Sequence, residues 1–174
     1  MVQKAVIMDE NAIKRAIARI SYEIVERNKG IDDISIIGIM SRGVHIANRI
    51  ADKLNELEGR RPEVGTLDIT SYRDDEKHIS GSDNTNIQFS VKNKKVILVD
   101  DVIYTGRSSR AAIDAVMSRG RPQSIQLAVL VDRGHRELPM RADYIGKNVP
   151  TSREEAVKVM MTEADSIEQV IIVE

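Results

Sequence analysis

Two adjacent carboxylates, Asp100 and Asp101, follow an apolar run that begins at Val96, and a segment rich in hydroxyl groups comes after them. The whole stretch reads VILVDDVIYTGRSS. Short apolar runs of this kind are typical of buried strands, and open α/β sheets bind their ligands at the carboxyl ends of their strands. The two acids are therefore expected at a ligand-binding edge of a sheet.

The segment after the acids has the composition of a phosphate-binding turn. Gly106 allows close approach by the backbone, and Thr105, Ser108 and Ser109 carry hydroxyl donors. A helix is predicted to begin at Arg107, and the free N–H groups of a helix N-terminus favour an anion. The residues alone thus indicate a phosphate site beside two acids that can accept hydrogen bonds from ribose hydroxyls.

An acid pair at a strand end also occurs in nucleotide hydrolases and in phospho-acceptor domains, where the acids hold magnesium. Nucleotide hydrolases carry a G-x-x-x-x-G-K-[ST] loop, and dinucleotide-binding domains carry G-x-G-x-x-G. The sequence has neither motif. The phosphoribosyl interpretation is favoured because it uses both the acid pair and the TGRSS segment.

Hydrophobic periodicity predicts the elements that must position this site. Helices are predicted over residues 10–28 and 107–119, and a further helix follows Gly43. Strands are predicted at Ile34–Ile39, Val64–Thr70, Val96–Val99 and Ser124–Val131, with short candidates at Tyr144–Ile145, Val157–Met161 and Val170–Val173. This alternation predicts one α/β domain over residues 1–174, with a mostly parallel sheet covered by helices. Residues 71–90 show no period and are predicted to form a flexible loop.

Composition excludes several classes of site. The 174-residue chain has no cysteine and three histidines, so disulfides, thiolate zinc sites and a cysteine nucleophile are excluded. The net charge is −1, from 26 basic and 27 acidic side chains, and does not by itself indicate a nucleic-acid partner. No apolar run approaches the roughly 20 residues that a membrane helix needs, and no signal region is recognised. We therefore expect a cytoplasmic protein without a membrane partner.

The stretch Val96–Ser109 resembles the 5-phosphoribosyl-binding motif of type I phosphoribosyltransferases. Three further segments, at Asp68–Asp75, Leu127–Ser152 and Ala5–Ile20, resemble one family within that group. That family is PyrR, whose members attenuate transcription of the pyr operon and act as uracil phosphoribosyltransferases. The resemblance covers nearly the whole chain, and it implies a type I phosphoribosyltransferase fold with a flexible hood loop.

The resemblance implies a reaction in which uracil displaces diphosphate from phosphoribosyl pyrophosphate (PRPP) to give UMP. It implies Mg²⁺ as cofactor, carried by PRPP without direct protein ligands. The catalytic residues implied are Asp100, Asp101 and Arg73. The PRPP and nucleotide site also takes in Ser41, Arg42, Gly43, Tyr104, Thr105, Gly106, Arg107, Ser108 and Ser109. Candidates for base binding are Asp132, Arg133, His135 and Val157.

The resemblance also implies binding to the leader of pyr messenger RNA in the presence of UMP. Candidate RNA-binding residues are Lys14, Arg15, Arg19, Arg27, Arg136, Arg141 and Lys147, with Arg153 nearby in sequence. Basic side chains can neutralise RNA phosphates, although a solvated charged face has the same composition. Ala18 and Tyr22 stand where family members tend to carry a hydroxyl residue and a histidine, so a difference in RNA affinity or in sequence preference is expected.

Two other functions stay open at this level. One is an RNA-binding regulator that keeps its nucleotide site only as a sensor of UMP or PRPP. The other is a phosphoribosyltransferase for a purine or for orotate. We expect a homodimer or homotetramer, since two-fold symmetry would extend a helical RNA-binding face.

Overall fold

The computed structural model describes residues 1–74 and 82–174. Its helices are α1 (Glu10–Asn28), α2 (Arg42–Glu58) and α3 (Arg107–Met117). Its strands, in chain order, are β1 (Gln3–Met8), β2 (Ile34–Ile39), β3 (Glu63–Leu67), β4 (Lys95–Ile103), β5 (Ser124–Asp132), β6 (Tyr144–Asn148), β7 (Ala156–Met160) and β8 (Gln169–Val173). A turn of 3-10 helix covers Thr70–Tyr72.

Strands β2 to β6 form a five-stranded parallel sheet in the order β3-β2-β4-β5-β6, which places β4 at its centre. Helices cover both faces of such a sheet, and accordingly all six residues of β2 are buried. Strands β1, β8 and β7 form a smaller antiparallel sheet in that order. The predicted α/β class, with a mostly parallel sheet flanked by helices, is confirmed.

Alternate residues of β4 face two different halves of the core. Ile97 and Val99 pack with α1 and α2, whereas Val96 and Leu98 pack with α3. Because successive side chains of a strand point to opposite faces, the unbroken apolar run of β4 serves both halves. The strand is held on both sides, which gives its carboxyl end a rigid position.

Helix α1 shows the sequence signals that set its ends. Asp9 caps the N-terminus by accepting a hydrogen bond from the Ala12 N–H at 2.8 Å. Lys29 ends the helix in the left-handed conformation, with φ of +54°. The buried face of α1 carries isoleucines at intervals of three and four residues: Ile13, Ile17, Ile20 and Ile24.

The segment after β3 returns along that strand. Thr66 pairs with Asn86 in an antiparallel bridge, and Ile87 is buried. The described part of the predicted loop 71–90 is therefore held against the sheet at its far end. Residues 75–81, at the centre of that predicted loop, lie outside the described residues.

Candidate active site

The central strand β4 carries both predicted catalytic acids. The sequence predicts a strand over Val96–Val99, whereas β4 continues through Asp100 and Asp101 to Ile103. The extra length follows from β5, whose residues pair with β4 as far as Asp132, opposite Ile103. The backbone of the two acids is therefore held in the sheet and not in a loop.

Each of the two carboxylates accepts a backbone hydrogen bond, and the two groups also repel each other electrostatically. The Asp101 N–H donates to Asp100 Oδ1 at 2.9 Å, and the Val102 N–H donates to Asp101 Oδ1 at 2.7 Å. Burial raises the pKa of Asp100 well above its usual range, and the charge of Asp101 raises it further, while Arg73 opposes the shift. Two carboxylates that share a site in this way favour the arrival of hydrogen-bond donors or a cation.

The turn between β4 and α3 forms the predicted phosphate cradle. Gly106 has φ of +94°, a left-handed conformation that favours glycine, and α3 begins at the next residue. The Arg107 N–H donates to Thr105 Oγ1 at 3.2 Å. A cavity of about 250 Å³ opens here, lined by residues 102–109 together with Arg73 and Glu137. Its N–H and hydroxyl donors suit a phosphate group.

Two arginines border this cavity. Arg73 Nη1 donates to Ser108 Oγ at 3.1 Å. Arg107 forms ion pairs with Asp74 at 2.8 Å and with Glu137 at 3.0 Å. The guanidinium of Arg107 is therefore paired with acids from two different loops, whereas Arg73 donates directly to the phosphate turn.

The turn between β2 and α2 borders a second cavity, of about 360 Å³. Its polar walls include Ser41, Arg42, Asp68, Arg73, Asp100 and Asp101. The peptide bond between Met40 and Ser41 is cis. Gly43, the second residue of α2, lies directly beside β4, and a Cβ on it would stand 2.5 Å from the Val99 carbonyl oxygen. Only glycine lets this turn lie so close to the acids.

Arg73 and Ser108 line both cavities, so the two form one continuous polar site. The structure thus brings together the predicted phosphate turn, the acid pair, Arg73 and the loop from Ser41 to Gly43. Asp68 lines the same site and was not singled out from the sequence. The available signal was its position directly after β3, since side chains that follow neighbouring parallel strands meet at one edge of the sheet.

Among the base-binding candidates, Arg133 is buried and donates three hydrogen bonds. Its guanidinium donates to Thr151 Oγ1 and to the carbonyl oxygens of Ser152 and Glu155. The same group stacks over the ring of Tyr104 at 3.9 Å from the ring centre. Arg133 therefore links the phosphate turn to residues 151–155 and does not extend into open space.

The other base candidates are Asp132, His135 and Val157. Asp132 accepts hydrogen bonds from Arg136 at 2.6 Å and from the Gly134 N–H at 3.0 Å. The ring of His135 packs edge-on against Tyr104, with ring centres 5.8 Å apart. Val157 lies on β7 of the small sheet and is partly buried. Asp132 thus ends β5, Arg133 and His135 lie in the loop that follows, and Val157 comes from a separate element.

Most RNA-binding candidates lie on the surface of α1 and β6. Lys14, Arg15, Arg19 and Arg27 are exposed on α1, and Lys147 is exposed on β6. Arg19 joins the two elements by donating to the carbonyl oxygens of Ile145 at 3.1 Å and Gly146 at 2.5 Å.

Two further RNA candidates lie in the loop between β5 and β6, where Arg141 is exposed. Arg136 is instead held within the protein by Asp132, the Met140 carbonyl and the Tyr104 carbonyl. The structure therefore places Arg19 of α1 against β6, the strand that carries Lys147, and holds Arg136 elsewhere, in the loop after β5.

Comparison with known proteins identifies the family. A model of the phosphoribosyl transferase domain matches residues 5–163. The chain is 56% identical over 177 residues to the bifunctional protein PyrR of Clostridioides difficile, with 100% of both chains covered. It is also 56% identical to the PyrR of Bacillus mycoides, covering 99% of this chain and 98% of the relative.

Solved structures confirm the type I phosphoribosyltransferase fold. A hypoxanthine phosphoribosyltransferase from Trypanosoma cruzi matches with a TM-score of 0.77 at 16% identity, covering 99% of this chain and 96% of that one. A second, from Staphylococcus aureus, matches with a TM-score of 0.68 at 20% identity, covering 86% and 80%. At these identities the likeness concerns the fold and not the base that is bound.

Within residues 1–74 and 82–174, no helix combines the length and apolar character that crossing a membrane would take. The polar site formed by the β4 acids, the phosphate turn and the β2–α2 turn lies within the matched domain. Its geometry and the full-length identity point the same way: this chain belongs to the PyrR family of phosphoribosyltransferases.

Proposed function

We propose that this chain makes UMP from uracil and PRPP, and that it regulates pyrimidine genes in the cytoplasm by binding the leader of their messenger RNA when UMP is present. Membership of the PyrR family supports both halves of the proposal. One structural observation carries the enzymatic half: Arg73 and Ser108 join the phosphate cradle to the cavity that holds both strand-end acids. This continuous site has the layout that a phosphoribosyl diphosphate needs.

The proposed roles follow from this layout. The N–H groups and hydroxyls from Thr105 to Ser109 would hold the 5-phosphate, and the Asp100 and Asp101 carboxylates would accept hydrogen bonds from the ribose hydroxyls. Ser41, Arg42 and Arg73 would bind the leaving diphosphate. Glycosyl transfer of this kind develops positive charge on the ribose ring, so the nearby carboxylates stabilise it and no protein nucleophile is required.

The residues fit a magnesium ion that enters with PRPP. Mg²⁺ prefers oxygen ligands and keeps several waters, so the waters of an ion carried by the PRPP phosphates and ribose hydroxyls can donate hydrogen bonds to nearby carboxylates without direct protein ligands. Asp68, Asp100 and Asp101 line the cavity proposed for the diphosphate. When bound, the ion would neutralise charge on the leaving diphosphate. Arg42 and Arg73 would supply the protein's own positive charge at the same place.

We propose that uracil lies beside the loop after β5 and is recognised mainly by backbone groups. The side chains of Asp132 and Arg133 are already engaged with Arg136 and with the loop at 151–155. Their expected role is to fix the loop and not to contact the base. His135 and Val157 would then contribute to the walls of the base site.

We propose the surface formed by α1 and β6 as the RNA-binding face, in a homodimer or homotetramer that extends it. Its exposed cations, Lys14, Arg15, Arg19, Arg27 and Lys147, would neutralise RNA phosphates. Tyr22 projects from the same helix with 56% of its surface exposed, and aromatic rings of this kind stack on unpaired bases.

The enzymatic half is tested by incubating the protein with PRPP, Mg²⁺ and one of three bases: uracil, hypoxanthine or orotate. Of the three bases, we expect only uracil to give a nucleotide, and that product is UMP. Absence of UMP contradicts the enzymatic proposal, and a product from hypoxanthine or orotate assigns a different base.

The regulatory half is tested by titrating a pyr leader RNA with and without UMP. Tighter binding with UMP is expected, with weaker binding by Arg19→Ala. Arg121→Ala is the matched control, because Arg121 is an exposed cation that follows α3 on the opposite face of the sheet. RNA binding that responds neither to UMP nor to Arg19→Ala contradicts the regulatory proposal. The mass of the protein in solution decides between dimer and tetramer.

A further inference from the structure

The turn between β7 and β8, residues 161–168, holds helix α2 by ion pairs at two points. Arg42 Nη2, at the first residue of α2, donates to Asp165 Oδ1 at 2.7 Å. Arg49, about two helical turns further on, pairs with Glu163 at 2.5 Å and with Glu168. The small antiparallel sheet is thereby joined to the helix whose N-terminus borders the proposed diphosphate site.

Asp165 is itself fixed by the backbone of its own turn. Its Oδ2 accepts a hydrogen bond from the Met161 N–H at 2.9 Å, and its N–H donates to the Met161 carbonyl at 2.7 Å. The Met161 N–H and the Arg42 guanidinium both hold the pKa of Asp165 below its usual range. The carboxylate is therefore held by its own turn as well as by the arginine, and both contacts favour its ionised form.

Arg42 has donors left over after these contacts. Its Nη1 donates to Ser41 Oγ at 3.1 Å, and its Nη2 donates to Asp165. Each terminal nitrogen of a guanidinium carries two N–H groups, so each keeps a further donor. The Nε of Arg42 is also buried, and it has no hydrogen-bond partner among the described residues. Arg42 lines the cavity that contains Asp100 and Asp101.

We propose that Asp165 is a positioning residue for the leaving diphosphate, because its ion pair holds the Arg42 guanidinium at the wall of the site with N–H groups to spare. The inference rests on the proposed function, since it requires a diphosphate at Arg42. A long arginine side chain loses conformational freedom when it binds an anion, and the ion pair with Asp165 restricts that freedom in advance. Arg42 keeps this pair while it donates to the diphosphate.

The test compares Asp165→Asn with Glu163→Gln, which removes a charge from the same turn but pairs with Arg49. We expect Asp165→Asn to weaken binding of magnesium diphosphate, measured by calorimetry, about tenfold, as for loss of one hydrogen bond between charged groups. The KM for PRPP should rise similarly, and the KM for uracil should stay unchanged. Glu163→Gln should lower Tm by about as much as Asp165→Asn does, but its affinity for diphosphate should equal that of the wild type.

A double-mutant cycle then asks whether Asp165 acts through Arg42. In an Arg42→Ala background, Asp165→Asn should have no additional effect on diphosphate binding. The inference is overturned if Asp165→Asn binds diphosphate as tightly as the wild type or more tightly. It is also overturned if Glu163→Gln loses as much diphosphate affinity as Asp165→Asn, or if Asp165→Asn loses just as much affinity in the Arg42→Ala background. Wild-type protein that binds no diphosphate overturns it as well. Wild-type protein that binds diphosphate but makes no UMP overturns the uracil proposal instead.

Discussion

Gly43 and Val99 lie so close that a Cβ on the glycine would stand 2.5 Å from the valine carbonyl oxygen. Gly43 belongs to the turn proposed to bind the diphosphate, and Val99 directly precedes the acid pair. The separation between the leaving group and the ribose-binding acids therefore depends on the absence of one side chain.

Gly43→Ala is expected to push the start of α2 away from β4. The colliding atom is backbone, which cannot rotate away, so overpacking should cost about 1–3 kcal/mol of stability. Activity should fall further than stability, roughly 100-fold in kcat/KM for PRPP, since a shift near 1 Å disturbs the reacting geometry. Chemical denaturation and steady-state kinetics measure the two effects. Wild-type kinetics in Gly43→Ala would show that this approach does not set the site.

Asp100→Asn is expected to stabilise the protein at neutral pH while reducing its activity. Burial, and then the charge of Asp101, raise the pKa of Asp100, so the folded state holds its proton more tightly than the unfolded state does. The stability that Asp100 contributes is thus present below its ordinary pKa and is lost as pH rises through the raised pKa. Asparagine stays neutral and avoids this loss.

The measurement for Asp100→Asn is the free energy of unfolding across acidic to neutral pH. The gain over wild type should grow with rising pH and vanish in strongly acidic solution. Asp32→Asn is the control, because that side chain is 93% exposed. A variant that is less stable than wild type at neutral pH would contradict the argument. UMP formation should fall by at least about tenfold, as for loss of a hydrogen bond to a charged group.

Arg133→Met is expected to destabilise the protein by about 3 kcal/mol, since it removes hydrogen bonds to a buried charged group and leaves their acceptors unpaired. The lost partners are Thr151, Ser152 and Glu155, together with the stacked ring of Tyr104. The loop at 151–155 should loosen, which raises the KM for uracil. Arg153→Met removes an exposed arginine from the same loop and should change neither quantity. Equal effects of the two variants would rule out a special role for Arg133.

Tyr22→Ala is expected to weaken leader RNA binding by about 1–3 kcal/mol, the usual effect of losing one stacked base. The ring is exposed, and Lys53 Nζ lies 5.9 Å from its centre on the neighbouring helix. Tyr22→Phe keeps the ring and should bind RNA as wild type does. Phosphoribosyl transfer should be the same in all three proteins. If alanine and phenylalanine bind RNA equally well, stacking at this position plays no part.

Local sequence signals were enough to predict the main elements. The residue range predicted for α1, 10–28, matches the observed helix, because Asp9 and the isoleucine spacing act within a few turns. The strand at Ile34–Ile39 is confirmed for a similar reason, since its apolar run is bounded by turn residues. β4 exceeded its prediction by including Asp100 and Asp101, because pairing with β5 outweighs the weak strand preference of aspartate.

The sequence alone determined an acid pair next to a phosphate-binding turn, because strand, acids and turn are contiguous and their chemistry is local. Resemblance in other segments added the base and the RNA partner. Only the tertiary structure decided which distant groups complete the site: Gly43 against Val99, Arg73 on Ser108, and Asp165 on Arg42. These contacts join residues far apart in the chain, and their geometry arises only when the parallel sheet sets the order of its strands and the small sheet packs on α2.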